Sequence, residues 1–434
     1  MLAAIVEPPG ADLSRHVLLF AVSFAFYLGA VYVVLSAGTG PRTRNSRRVL
    51  ALALAWAVLM RVALLATTPS LSDDLFRYVW DGRVAAAGID PYRYPPAAPE
   101  LAPLRDSYWN GINAKSMPTP YPPLAEGLFA AVYRLAPDNL TAMQAMAVGF
   151  DLGVIVLLLL MLARLRQDTF RVLIYAWNPL LLVQFAHSGH FDAAMVLPLL
   201  GGIYLLALGN RVGSGILLGV STLVKLVPAI VAPLFVPFWG AVGVVAAGAT
   251  LGLGALPLVG SPALRGVLSE ASDARFNDSA GYLLSKLFGV VAVDPDTAAR
   301  LASNSALVVA SLLLAAVLWK RQGGWESLLR GIYYLLGLFI LLNAVVEPWY
   351  LTWVVPFLCF TLPPLSSWKS WLSPSWGWLL LSGSVVLTDL TYLPDIGSGA
   401  WVWIGAIEYG PLYGLMALWI WRKRAQRLAP RARR

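Results

Sequence analysis

The sequence predicts an all-α polytopic membrane protein with about thirteen transmembrane helices. Hydrophobic residues make up 58% of the 434-residue chain and charged residues only 13%, about half the charged share of soluble globular domains. Apolar runs close to the roughly 20 residues that cross a bilayer as a helix recur along the chain. The net charge of +9 lies mainly in short joints and the C-terminal tail, which indicates membrane orientation and not a nucleic-acid partner.

Two spans are predicted at the N-terminal end, Val17–Ser36 and Val49–Ala66. The connection between them is rich in arginine, which places it in the cytoplasm and the N-terminus outside. Its arginines are Arg42, Arg44, Arg47 and Arg48. A cleaved signal peptide is the alternative for the first span, but the cationic flank of a signal peptide precedes the apolar stretch, whereas here it follows.

The longest break in hydrophobicity comes next, from about Thr67 to Pro120. By parity it is extracytoplasmic, and with the following helix it makes an outer loop over residues 67–140. Loops of this length in compact proteins are usually functional or disordered. The density of aromatic residues favours an ordered layer on the membrane surface.

Residues 121–212 allow two topologies. In the favoured one Tyr121–Leu135 lies along the outer interface, and Gly213–Phe238 forms two short helices that meet near Lys225 and Pro228. The spans between them are Thr141–Leu162, Val172–Ala186 and Ala193–Leu208. This arrangement keeps the nearby arginines inside and the turn His187–Asp192 outside. If both segments crossed once each, the arginines would face outward instead.

The remaining spans are Val242–Val259, Ala302–Trp319, Gly331–Val346, Tyr350–Leu362, Trp376–Leu390 and Trp403–Trp421. A second polar outer loop covers Gly260–Arg300, and the basic tail from Arg422 is cytoplasmic, near anionic lipid. We therefore expect a multi-pass protein of the inner (plasma) membrane. The single cysteine, Cys359, excludes an intrachain disulfide and a cysteine-based metal site.

Polar groups that topology does not explain collect on the predicted outer side. The first cluster is Asp73-Asp74, just past the second span, followed by Arg77, Trp80 and Asp81. An acidic pair alone would be typical of solvated helix-cap residues at the interface, where charge is less costly than in the bilayer centre. The arginine and the aromatic and acidic residues that follow favour a functional site.

The second cluster lies at a predicted turn and contains His187, His190 and Asp192. Histidine suits several metals, but two histidines and one aspartate are a thin ligand set, so a hydrogen-bonded substrate site is preferred and no metal is assigned. Lys225, within an otherwise apolar stretch, is a functional candidate. The alternative is that its amine extends to a nearby interface.

Two more clusters follow. The second outer loop carries Arg275, Asn277 and Lys286. Asn277 also begins a weak match to a glycosylation acceptor. The last cluster consists of Glu347, Trp349 and Tyr350. An interfacial aromatic belt would explain its two rings but not its acid.

An outer pocket with carboxylates, cations and aromatic rings suits the transfer of a sugar from a lipid phosphate. An aspartate can take the proton of the attacking hydroxyl. A lysine or arginine can stabilise the phosphate as it gains charge. Because nucleotide sugars are absent outside the cell, a membrane-bound polyprenyl donor would supply the sugar.

In these features the chain resembles the GT-C superfamily of polytopic glycosyltransferases, particularly bacterial mannosyltransferase-like members that use polyprenyl-phosphate sugars. The motifs that carry the resemblance are Ser72-Asp73-Asp74, Arg77-Tyr78-Val79-Trp80-Asp81-Gly82, Gly88-Ile89-Asp90-Pro91-Tyr92, Tyr121-Pro122-Pro123-Leu124, Gly189-His190-Phe191-Asp192, Lys225 with Pro228, and Pro348-Trp349-Tyr350-Leu351. They occur in order over about residues 70–355, and their combination is more specific than any one of them.

The resemblance implies a seven-helix core and a catalytic base at Asp73 or Asp74. Asp74 is favoured, because Asp73 is one residue nearer the membrane. Asp192 resembles a second active-site acid, and transferases of single sugars in this class generally need no metal, so no cofactor is expected, although a divalent cation stays open. The residues expected to bind substrate are Arg77, Trp80, Asp81, Tyr92, Tyr121, His187, His190, Asp192, Lys225, Arg275, Asn277, Lys286, Glu347, Trp349 and Tyr350.

The resemblance also divides the chain. Residues 1–48 hold an extra helix and a cytoplasmic loop, 49–300 the conserved transmembrane module with outer loops 67–140 and 260–300, 301–421 variable helices, and 422–434 the basic tail. The expected activity is inverting transfer of a sugar, mannose first, from a polyprenyl-phosphate donor to a hydroxyl of a glycolipid, glycan or other acceptor.

The alternative function is a polytopic transporter or flippase of envelope lipid or sugar intermediates. A transporter would place its polar groups near the membrane midplane at a repeat interface, and no repeat is visible here. A flippase or scaffold would not need an acidic pair beside an aromatic loop.

Overall fold

The computed structural model describes residues 13–36, 44–259, 276–277, 279–289, 294–321, 323–392 and 400–428. Within these residues the secondary structure is helical, and the one β contact is an isolated parallel bridge between Phe276 and Val345. The predicted all-α class is therefore confirmed for the described part of the chain.

The N-terminal half contains the helices α1 Leu13–Ser36, α2 Arg44–Leu65, α3 Asp74–Ala86, α4 Ser107–Asn110, α5 Pro123–Leu135, α6 Leu140–Arg164, α7 Leu173–Ala176, α8 Pro179–Leu181, α9 Asp192–Ala207, α10 Arg211–Val224 and α11 Ala232–Gly254. The C-terminal half contains α12 Ala280–Phe288, α13 Pro295–Arg321, α14 Trp325–Leu342, α15 Val355–Thr361, α16 Pro374–Ser384 and α17 Ala400–Leu428. A π-helical turn, Leu182–His187, continues α8. Short 3₁₀ segments cover Pro99–Leu104, Thr169–Val172, Val227–Val231, Leu256–Leu258, Pro348–Trp353, Trp368–Leu372 and Val385–Tyr392.

Among the described residues, six helices are long and apolar enough to cross a membrane. They are Arg15–Ser36, Asn45–Leu65, Leu140–Arg164, Val227–Gly254, Pro295–Arg321 and Trp325–Leu342. Pro179–His187 and Asp192–Ala207 form a pair bent by 119°, which makes a seventh if the two count as one broken span. The protein is thus a multi-pass membrane protein, while the larger count of thirteen spans stays a prediction.

The extra N-terminal helix α1 packs along one face into the bundle. Phe20, Phe24, Tyr27 and Val31 recur at the three- and four-residue spacing of a helix face, and all four are buried. The Tyr27 hydroxyl donates to the carbonyl of Ile174 at 2.5 Å. These contacts make α1 part of the packed bundle.

Between α2 and α6, the helices α3 and α5 pack closely on each other. A Cβ added at Gly82 of α3 would lie 2.7 Å from the carbonyl oxygen of Phe129 on α5, so only glycine allows this approach. Beside it the rings of Tyr78 and Phe129 stack at 4.6 Å. The close contact fixes the start of α3 over the bundle.

Two breaks in the helices bring polar side chains to the same end of the bundle as the start of α3. The helix α10 ends at Val224, and Lys225 is extended, with φ −153° and ψ 136°, which confirms the predicted break at this lysine. Between the π-helical turn and α9, Gly189 has φ +74°, and a Cβ there would lie 2.6 Å from the side chain of Leu75. The second half of the predicted pair at 213–238 continues into α11, which is interrupted at Gly240 with φ 61°.

Candidate active site

The acidic pair lies at the N-terminus of α3, where the helix dipole favours negative charge. The side-chain amide of Asn113 donates to both carboxylates, at 2.7 Å to Asp74 Oδ1 and 2.9 Å to Asp73 Oδ1. The two acids differ in their surroundings, because Asp73 is exposed while the side chain of Asp74 is 19% exposed. Asn113 therefore fixes Asp74 where it faces the interior.

The pKa of the Asp74 carboxyl is raised above its ordinary value, chiefly by burial and further by the charge of Asp73. The hydrogen bond from Asn113 and the charge of Lys225 act in the opposite direction. A carboxylate with a raised pKa is a stronger base than an exposed one, which suits proton abstraction.

The turn around Gly189 supplies the neighbouring wall. Nδ1 of His190 lies 3.7 Å from Asp74 Oδ2, and the His190 ring stacks on Trp349 with 3.9 Å between centroids. His187 points elsewhere: its ring contacts the hydroxyls of Thr67 at 2.9 Å and Ser70 at 3.2 Å. His187 thus joins the turn to the segment before α3, while His190 stands beside the acid.

The third wall is built around Lys225. Its amine contacts Asp192 Oδ1 at 2.5 Å, and the indole N–H of Trp353 donates to the same oxygen at 2.6 Å. The amine also lies within 5.4 Å of the ring centroids of Phe191, Tyr350 and Trp353, which is cation–π distance. The cation is therefore held in a fixed position, and it remains 20% exposed.

These walls enclose a cavity of about 640 Å³. Its polar lining residues are Asp74, Arg77, Asn113, Lys225, Arg300, Ser303, Asn304, Asn343 and Glu347. Its aromatic lining residues are Tyr78, Tyr121, Phe191, Phe339, Trp349 and Tyr350. A pocket of this size with carboxylates, cations and aromatic rings is typical of a small-molecule site.

Glu347 brings a second carboxyl group to this cavity. Burial raises its pKa to about 8, and the charge of Asp74 contributes to the rise. At neutral pH it is mostly protonated and can donate a hydrogen bond, whereas Asp74 can act as an acceptor. The two acids are therefore suited to different roles in the same cavity.

The structure brings together seven of the residues predicted from the sequence. Those that line the cavity are Asp74, Arg77, Tyr121, Lys225, Glu347, Trp349 and Tyr350. His190 and Asp192 lie directly behind them and contact Trp349 and Lys225, respectively.

Other predicted residues lie away from the cavity lining. Trp80 and Tyr92 are buried, and the Tyr92 hydroxyl donates to the carbonyl of Tyr121 at 2.7 Å. The carbonyl of Asn277 accepts from Tyr409 at 2.8 Å, and Lys286 lies over the ring of Tyr282 at 5.1 Å. The prediction for Arg275 falls outside the described residues.

Arg77 and Asp81 belong to a buried network beneath the cavity. The Nε of Arg77 donates to both carboxylate oxygens of Asp81, at 3.0 and 2.9 Å. Its terminal nitrogens reach the carbonyls of Ala114 at 3.4 Å and Met117 at 3.2 Å. Arg77 therefore holds the chain that follows Asn113, and Asp81 balances its charge.

Sequence reasoning missed Asn113, Arg300, Asn304, Asn343 and Trp353. None of them lies in one of the recognised motifs. Asn113 bonds an acid 39 residues earlier, and Trp353 bonds an acid 161 residues earlier. Only the packing of distant elements brings these side chains to the site.

Among the described residues, no group of three or more His, Cys, Asp or Glu side chains could hold a metal ion. Asp192, which resembles a second active-site acid of the superfamily, has its Oδ1 bonded to Lys225 and Trp353. In this arrangement the lysine supplies the positive charge next to Asp192.

A comparison with protein families decides the class. A family model described as alpha-(1->6)-mannopyranosyltransferase, N-terminal domain, matches residues 4–243, just over half of the chain. The chain belongs to this family of GT-C-type mannosyltransferases. The match confirms the resemblance drawn from the motifs. No curated protein and no solved structure gives a significant match.

The matched range of this mannosyltransferase includes α3, the turn at Gly189 and Lys225. The wall formed by Arg300, Asn343 and Glu347 lies beyond it. The cavity is thus shared between the family domain and the C-terminal helices. A mannosyltransferase needs a mannose donor and an acceptor, and its apolar helices need a lipid bilayer.

Proposed function

We propose that this protein transfers mannose from a polyprenyl-phosphate donor to an acceptor hydroxyl, with inversion, on the extracytoplasmic face. The observation that carries the proposal is Asp74 in a cavity that also presents Lys225 and Arg300. A base and two cations in one cavity match the needs of an attacking hydroxyl and a leaving phosphate.

In the proposed reaction, the oxygen of the acceptor hydroxyl attacks C1 of the mannosyl group. Asp74 accepts the proton that this hydroxyl loses. The bond between C1 and the phosphate oxygen breaks, and the electron pair leaves with the polyprenyl phosphate. Lys225 and Arg300 stabilise the added negative charge. The aromatic rings of Tyr121, Trp349 and Tyr350 offer apolar faces for the sugar.

The family description supports an α-(1→6) linkage. The acceptor is then the 6-hydroxyl of a sugar residue in a glycolipid or glycan. Because inversion changes the anomeric configuration, an α product requires a β-linked donor. A double displacement would require a covalent nucleophile, whereas a single carboxylate base suffices for the direct attack.

The test is sugar transfer by purified protein in detergent or reconstituted vesicles. Labelled polyprenyl-phosphate mannose, glucose and arabinose would be offered beside GDP-mannose and UDP-glucose, with mannose-containing glycolipid and total membrane lipid as acceptors and an EDTA arm. We expect transfer from polyprenyl-phosphate mannose alone, unaffected by EDTA. Transfer from a nucleotide sugar would contradict the proposed donor, and no transfer by folded protein would favour the transporter alternative.

Two variants test the assignment of the base. We expect Asp74→Asn to lower kcat by about 10²–10⁴-fold, the typical contribution of a general base. Asp73→Asn is the matched control, since it removes an adjacent and exposed carboxylate that shares Asn113, and it should keep most of the activity. The opposite ranking of the two variants would assign the base to Asp73.

A further inference from the structure

A second cavity, of about 500 Å³, lies along α14. On this helix its lining runs from Glu326 to Leu341, about 22 Å along the axis. Half of a bilayer's hydrocarbon core is about 15 Å thick, so the cavity is long enough for an acyl chain of one leaflet. The last residue of α14, Leu342, lines the first cavity instead.

The walls of this second cavity are apolar along its length and polar at one end. Its apolar side chains include Leu338, Leu341, Phe360, Trp378, Met416 and Ile420. Its charged side chains are Glu326 and Arg330, both near the start of α14. The charged end is therefore the one farther from the first cavity.

A third pocket, of about 240 Å³, adjoins the second and shares Ser373 and Trp419 with it. Its lining includes three cations, Lys369, Arg422 and Lys423, and no acid. Nζ of Lys423 lies 5.8 Å from the Trp419 ring. Three like charges around one small pocket create a positive potential that attracts an anion.

We propose that the two adjoining pockets form one binding site for an anionic diacyl phospholipid. An acyl chain lies along α14, and the phosphate of the headgroup lies between Lys369, Arg422 and Lys423. The arrangement joins an apolar channel to a cationic pocket, which are the two complementary halves of such a lipid. The site is distinct from the cavity at Asp74 and does not depend on the proposed reaction.

The test uses full-length protein in mild detergent, mixed with equal amounts of dioleoyl phosphatidylglycerol and dioleoyl phosphatidylcholine. Native mass spectrometry counts the lipid molecules that each protein retains. We expect preferential retention of one phosphatidylglycerol, and a rise in Tm with this lipid but not with phosphatidylcholine. The triple variant Lys369→Gln/Arg422→Gln/Lys423→Gln should lose roughly tenfold or more in affinity.

Two matched controls distinguish lipid binding at this site from a general effect of positive charge and from misfolding of the variants. Arg164→Gln/Lys320→Gln/Arg321→Gln removes the same charge outside both pockets and should keep the lipid. Met416→Trp fills the apolar cavity without changing charge, so this variant should lose the bound lipid. Leu418→Trp, at an exposed position of the same helix, should retain the lipid. Equal retention of the two lipids by wild type, or equal loss in both triple variants, would overturn the proposal. In a parallel mixture of phosphatidylglycerol and a polyprenyl monophosphate, preferential retention of the polyprenyl lipid would overturn the diacyl assignment.

Discussion

The pKa of Asp74, the proposed base, depends on neighbours that act in different directions. Burial and Asp73 raise the pKa of its carboxyl, and Asn113 and Lys225 lower it. The balance leaves the pKa of this carboxyl above its ordinary value. At the scale of single residues, the proposed reaction therefore depends on the contacts that set the pKa of Asp74.

We expect kcat/KM for mannosyl transfer to rise with pH as Asp74 loses its proton, because only the ionised base can accept the acceptor's proton. Asn113→Ala removes a hydrogen bond that lowers the pKa of Asp74, so the rising limb should move to higher pH. Hydrogen bonds to charged groups contribute about 1.5 kcal/mol or more, which is about one pH unit. The pH profiles of wild type and variant provide the measurement.

Asn110→Ala is the control for this shift. It removes a neighbouring exposed amide and leaves the contact between Asn113 and Asp74 in place. Its profile should match that of the wild type. A rising limb that stays in place in Asn113→Ala would show that the titrating group is not Asp74.

The network below the cavity holds two carboxyl groups and one guanidinium. Burial raises the pKa of Glu126 well above its ordinary value, and the charge of Asp81 adds to this effect. Glu126 also accepts a hydrogen bond from Thr119 at 2.6 Å. We infer that Glu126 carries a proton, while Asp81 is the ionised partner of Arg77.

This assignment predicts different outcomes for two similar substitutions. Glu126→Gln replaces a protonated acid by its neutral analogue, so kcat should stay within about twofold of wild type. Asp81→Asn leaves Arg77 buried without its counter-charge, so it should lower the free energy of unfolding by several kcal/mol. The measurements are kcat and the Tm of the purified proteins. Equal damage from the two substitutions would mean that Glu126 is ionised.

At the scale of helices, α2 and α6 are joined by a buried ion pair between Arg61 and Asp151. Both side chains are 0% exposed, and Arg61 also donates to the carbonyl of Ala176 at 2.9 Å. The apolar runs predicted both spans, but nothing in the sequence paired this arginine with this aspartate. The pair joins one face of α2 to one face of α6.

We expect Arg61→Met to destabilise the protein by about 3–5 kcal/mol, because it leaves Asp151 buried without its counter-charge. The double variant Arg61→Met/Asp151→Leu removes both charges and should recover most of this loss. Thermal unfolding in detergent, followed by tryptophan fluorescence, compares the variants. A double variant no more stable than Arg61→Met would mean that the pair contributes more than charge compensation.

At the scale of the whole molecule, the two ends of the bundle differ in chemistry. One end carries the cavity with Asp74, and the other carries Arg164, Lys369 and the cations of α17. The excess of basic residues at the second end favours the cytoplasm for it. The proposed orientation therefore places the cavity outside the cytoplasm.

Single cysteines test this orientation in intact cells. In a Cys359→Ser background, Glu100→Cys should react with a membrane-impermeant maleimide without permeabilisation, and Arg164→Cys only after it. Both positions are exposed, so a difference reports the side of the membrane and not burial. The reverse pattern would place the cavity in the cytoplasm and would contradict a polyprenyl-linked donor supplied outside.

The sequence by itself determined the membrane class, the main spans, the break at Lys225 and the motif residues around Asp74 and His190. These features are local, because hydrophobic length, charge and a broken apolar stretch are visible in a short window. The tertiary structure alone decided which of these residues share one cavity. Asn113 and Arg300 reach it from distant elements, and Trp353 bonds Asp192 behind it, because side-chain contact follows helix packing and not sequence separation. For the same reason Trp80 and Tyr92, although they lie in recognised motifs, are buried away from the cavity.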